Sequence, residues 1–102
     1  MRMGWLVLLV VAACGGSATG HEDLGDEHYR QGRFAEAVTQ YRHAQASQPL
    51  AATWAKLGAA ALHAGEVSVA VEAYAALADG DPTRVAEAAR GLERAARLPQ
   101  AG

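Results

Sequence analysis

A 33-residue internal repeat limits this 102-residue chain to a narrow set of folds. Leu24-Gly25, Gly32, Ala37-Val38, Tyr41 and Pro49 recur 33 positions later as Leu57-Gly58, Gly65, Ala70-Val71, Tyr74 and Pro82. Repeats of this length are single supersecondary units that bury their apolar faces only by stacking on their neighbours. Inside the unit the apolar residues keep the 3.6 period of a helix: Leu57, Ala60 or Ala61 and Ala64 line one face. Beyond Gly65, Val67, Ala70, Val71, Tyr74 and Leu77 or Ala78 line another, so each unit reads as a pair of helices. With 25 alanines against one phenylalanine and three prolines, an all-β alternative is excluded.

The repeated residue types have physical reasons. Gly32 and Gly65 end the first helix of each pair in the left-handed conformation that glycine reaches without cost. Pro49 and Pro82 close each unit, since proline fits the first turn of the next helix and not the interior of the last. Gly25 and Gly58 lie within helices, where glycine costs about 1 kcal/mol relative to alanine, so close helix approach is expected there. Ala37 and Ala70 are the expected small partners, with Tyr41 and Tyr74 filling a wider gap beyond the crossing. After Pro82 a further helix is expected, with Asp81 as its N-cap and Val85, Ala88, Ala89, Leu92, Ala95 and Ala96 on one face. Its other face carries Arg84, Glu87, Arg90, Glu93, Arg94 and Arg97. The five helices span about residues 21–31, 34–47, 51–64, 67–79 and 82–98.

On these residues the chain resembles the tetratricopeptide repeat family. Trp54, Leu57, Gly58, Ala70, Tyr74 and Pro82 match its pattern in the second unit, and Leu24, Gly25, Ala37, Tyr41, Ala44 and Pro49 match in the first. Departures are His21 and His28 in the first unit, Ala61 and Leu77 in the second, and a spacing one residue short in the inter-unit turn. The resemblance implies an all-α fold, a short right-handed α-solenoid of two helix-turn-helix units, about 21–50 and 51–82, with a C-terminal capping helix at 82–98 and a tail at 99–102. It further implies a concave face built from the first helix of each pair. In the first unit that face falls on Glu22, Asp26, Tyr29 and Arg30, and in the second on Ala52, Ala55, Ala59, Leu62 and His63. One end is expected to be acidic and the other nearly flat. The lysine and asparagine clamp by which some members hold a C-terminal carboxylate is missing. An array this short is expected to be marginally stable, to dimerise, or to gain stability from a partner.

The first 20 residues differ in kind. Arg2 precedes an unbroken apolar run from Trp5 to Ala13, followed by the small and polar Gly15 to Gly20, which is the order of an export signal. The run is about half the roughly 20 residues that a membrane span requires. Val11-Ala12-Ala13-Cys14 resembles the lipobox of bacterial lipoproteins. That resemblance implies removal of residues 1–13, acylation of Cys14 and a tether over residues 14–20. It also implies a lipid-anchored place in the cell envelope, at the outer membrane in a diderm organism because Gly15 rather than Asp follows the cysteine. Cys14 is the chain's only cysteine, so no internal disulfide can form and lipidation accounts for the thiol. An ordinary export signal with a soluble periplasmic product is the alternative.

Other chemistries find little support. The formal charge of −2 comes without a basic cluster, which argues against nucleic acid as a partner. His21, His28, His43 and His63 form no i, i+4 pair and no His-Glu-x-x-His, so no metal site and no cofactor are expected. Ser17, Ser47 and Ser68 lie outside any nucleophile elbow, and the acids Glu22-Asp23 and Asp26-Glu27 are those of a helix start, so no enzyme is expected. Two function classes remain: a lipid-anchored interaction module holding a protein or peptide on its concave face, and a structural or self-associating envelope protein without a specific client.

Overall fold

The computed structural model describes residues 18–99. They form α1 (Ala18–Arg30), α2 (Phe34–Ser47), α3 (Ala51–Ala64), α4 (Val67–Gly80), a short 3-10 turn (Pro82–Arg84) and α5 (Val85–Arg97). No strand occurs among the described residues. Each helix packs on the next in sequence, and α5 also reaches back to α3, which gives two helical hairpins and a final single helix. None of the described helices is long and apolar enough to cross a membrane. The expected signal segment, Cys14 and the first residues of the tether lie outside the described residues. Ala18, Thr19 and Gly20, expected in the tether, instead form the start of α1.

The turns follow from the sequence. Gly32 and Gly65 have φ of 76° and 75°, and in the second unit the Glu66 amide returns to the Ala61 carbonyl at 2.9 Å, satisfying the frayed end of α3. Between the units the buried Gln45 holds both polar groups of Leu50: its Oε1 accepts from the Leu50 amide at 3.2 Å and its Nε2 donates to the Leu50 carbonyl at 3.3 Å. The next junction is built differently. Asp81 accepts from the Thr83 amide at 3.1 Å and the Thr83 hydroxyl at 2.6 Å, and these hydrogen bonds hold its carboxyl below the usual range.

The helix glycines meet tyrosines rather than the expected alanines. A Cβ on Gly25 would lie 2.5 Å from the Tyr41 ring, and one on Gly58 would lie 2.6 Å from the Tyr74 ring. The missing side chains make room for a flat ring laid against the backbone, while Ala37 and Ala70 are simply fully buried beside it. Tyr74 is held on a second side by Gly91 of α5, where a Cβ would again collide with its ring. Gly91 stands 33 positions after Gly58, so the repeat register continues into the last helix.

The same register sets charges in α5 where α3 carries its core. The positions of Leu57, Ala60, Ala61 and Ala64 in α3 become Arg90, Glu93, Arg94 and Arg97 in α5, all exposed. Covering them with another helix would desolvate four charges, which burial of their remaining surface could not offset. The buried face of α5 is Ala88, Gly91 and Ala95, with Leu92 beside it. Val85, Ala89 and Ala96, expected on that face, are exposed, with no described helix packed on their side. Val71 is 43% exposed although its counterpart Val38 is 3% exposed, and Leu24 is 51% exposed although Leu57 is 1% exposed. These residues sit at the two ends of the stack, where the neighbouring unit of the pattern is not present among the described residues.

Candidate binding groove

The first helices of the units, α1 and α3, lie side by side and α5 follows them, so residues from all three line one groove. Two cavities make it up. One, of 220 Å³, lies between Asp26, Tyr29, Tyr41, Lys56 and Ala59. Its neighbour, of 380 Å³, shares Tyr29 and Ala59 and continues along Leu62 and His63 to Arg94 and Arg97 of α5.

At the α1 end the two carboxylates do not stand free. Lys56 Nζ lies 2.8 Å from Glu22 Oε2 and 3.1 Å from Asp26 Oδ2. Burial works against the ammonium, but the hydrogen bonds it donates to both acids, with their negative charge, outweigh it and hold Lys56 above its ordinary range. Tyr41 donates its hydroxyl to Asp26 Oδ1 at 2.6 Å. Burial first, then that bond to a carboxylate, pushes the phenol well above its usual range. The expected open acidic end is therefore a closed network of two acids, one ammonium and one phenol.

The middle of the groove is apolar and aromatic. Tyr29 meets Phe34 edge-on at 5.2 Å between centroids, and the His63 ring stacks on Phe34 at 4.5 Å. Tyr29 and His63 meet edge-on at 5.6 Å, so three rings brace the turn end of α1 against α3. At the far end Arg97 is only loosely paired, 3.8 Å from Glu93, and Arg94 makes no ion pair in the described part of the chain. The cationic end and not the acidic one is open to a ligand.

Of the residues expected on this face, Tyr29, Ala59, Leu62 and His63 line the larger cavity and Asp26 lines the smaller. Glu22 reaches the groove through Lys56. Ala55 is packed against the cluster of Tyr74, Leu77 and Ala88 beneath α5, and Arg30 is exposed and paired with Glu27. Lys56, Tyr74, Arg94 and Arg97 were not expected there. Lys56 is the chain's only lysine, one position from Leu57, and its bridge spans 30 residues, which local pattern does not reveal. The two arginines had a signal: the 33-residue register sets them at the places of Ala61 and Ala64, next to Leu62 and His63. No group of three or more His, Cys, Asp or Glu side chains able to hold a metal occurs among the described residues.

Comparison with known proteins gives one match. The family model described as tetratricopeptide repeat matches residues 22–85, from the second turn of α1 to the start of α5. No curated protein and no solved structure matches the chain.

Proposed function

The chain belongs to the tetratricopeptide repeat family, and from that premise we propose that it is an interaction module, held at the bacterial cell envelope by acyl chains on Cys14, that grips a segment of a partner protein in its groove. The repeat itself supports protein binding as the activity. The observation that carries the finer reading is the continuous groove from Asp26 to Arg97, with an apolar floor and one open cationic end. Such a surface favours a segment laying a small apolar residue over Ala59 and Leu62 and an acidic one toward Arg94 and Arg97. Glu22 and Asp26 contribute by fixing Lys56 at the other end. One short groove buries less than the roughly 1,200–2,000 Å² of a standard stable interface, so micromolar affinity is expected.

The anchoring part of the reading rests on Val11-Ala12-Ala13-Cys14 after the apolar run. Several acyl chains, at about 0.8 kcal/mol per buried methylene, would hold the domain at the membrane where a single chain binds only marginally. The groove is tested by co-purification from native membranes with the parent, Arg94→Glu and Leu62→Lys proteins. The expected result is a partner retained by the parent and lost from both variants; retention by both refutes the groove as the binding face. Exposure of Leu24 and Val71 at the ends of the stack favours a second reading, association of two copies. Mass measured against concentration separates the two.

A further inference from the structure

We propose that His21 and His43 form a two-imidazole site for a divalent transition-metal ion, closing the start of α1 onto the end of α2. The site does not depend on the groove or on its partner. Four histidines without a metal-binding motif were expected to act independently, and two of them do not. The hairpin of α1 and α2 turns at Gly32, and His21 and His43 each lie 11 residues from it, so the antiparallel helices bring them opposite one another.

Their ring centroids are 5.1 Å apart with planes tilted by 32°. Two imidazoles that share a tetrahedral ion, each bound through one nitrogen at about 2.0–2.1 Å, also set their centroids roughly 5 Å apart. A second feature is independent of that spacing. His21 Nδ1 lies 3.0 Å from Gln40 Oε1. An amide oxygen only accepts, so Nδ1 carries the proton and donates, which leaves the lone pair on Nε2. Metal-ligating histidines are held in this manner, with the second ring nitrogen donating to a carbonyl or carboxylate that fixes the tautomer.

The half-buried His21 and the exposed His43 leave the site open to solvent. Neutral imidazole selects copper, nickel and zinc over magnesium and calcium, and copper(II) is bound more tightly than zinc. With two protein ligands, water completes the coordination, so the ion is exchangeable rather than a permanent part of the fold.

The test is calorimetric titration of the full chain, free of any affinity tag and carrying Cys14→Ser so that the thiol does not compete. Copper(II), zinc and magnesium ions are the probes. One copper ion per chain, weaker zinc and no magnesium are expected. His21→Ala and His43→Ala should each lower copper affinity at least tenfold. Gln40→Leu, which touches no metal, should also lower it by roughly tenfold, and His63→Ala should leave it unchanged. Because His43 is exposed, its variant keeps the fold intact and makes the comparison independent of folding. Copper affinity at the parent level in either single histidine variant overturns the proposal, as does an equal loss in His63→Ala.

Discussion

Replacing Gly58 by alanine places one methyl group against a ring that has no exit. The new Cβ would lie 2.6, 2.7 and 2.9 Å from Cε2, Cζ and Cδ2 of Tyr74, and Gly91 presses on the same ring from α5. Overpacking of this kind costs about 1–3 kcal/mol, toward the upper end where the neighbour is trapped on two sides. Alanine regains about 0.8–1 kcal/mol over glycine in helix propensity, which leaves a net loss of about 1–2 kcal/mol. In a domain of this size that lowers the melting midpoint by roughly 5–15 °C. Gly80 provides the control, because it also lies in a helix, has no positive φ and has nothing within 4 Å of its missing Cβ. Circular dichroism melts should show Gly58→Ala below the parent and Gly80→Ala at or slightly above it. In a Tyr74→Ala background, itself destabilised, the added Gly58→Ala should cost nothing. A midpoint for Gly58→Ala equal to that of Gly80→Ala would refute the account of the glycine as a seat for the ring.

The larger Gly58→Leu should leave little folded protein at 37 °C, read by the same melts, since net stability of such small domains is only about 3–5 kcal/mol. Replacing Lys56 by Gln leaves Glu22 and Asp26 facing each other, and because the lysine is more than a third exposed, a loss of about 1 kcal/mol or less is expected in urea titrations, shrinking in high salt. Folded-state values of Lys56, Tyr41 and Tyr74 all lie above their ordinary ones, so their contribution is complete below about pH 10 and falls as pH rises past it. Melts from pH 8 to 11 should therefore show stability declining above pH 10, with a shallower decline in Tyr41→Phe. Cell fractionation of Cys14→Ser should move the protein out of the membrane pellet, and retention there would refute acylation as the anchor.

Helices α2 and α3 were legible to the residue because the chain punctuates them with glycine caps and prolines. The start of α1 was not, since Ala18-Thr19-Gly20 carries no stop or cap and the composition there reads as a linker. Periodicity named Val71, Ala89 and Ala96 as interior, yet whether a helix face is covered depends on a neighbour, and at the ends of an array the pattern outlasts the neighbour. That Tyr29, Ala59, Leu62 and His63 share one face was implied by the resemblance to the repeat family, whereas the Lys56 bridge joins α1 and α3 through long side chains whose reach no local spacing encodes. The meeting of His21 and His43 follows from their equal distance from Gly32, a relation between two helices that spacing within one helix does not carry.

In the last helix, Gly91 accepts the tyrosine of the preceding unit while Arg90, Glu93, Arg94 and Arg97 face solvent. Seat and charged face are thereby written on one helix and separated from the units that set the length. A copy of the 33-residue unit inserted ahead of Pro82 would offer α5 the same ring, and the groove would lengthen with its terminus unchanged. Gene duplication could thus lengthen the groove without having to solve again the problem of how such a charged face is presented to solvent.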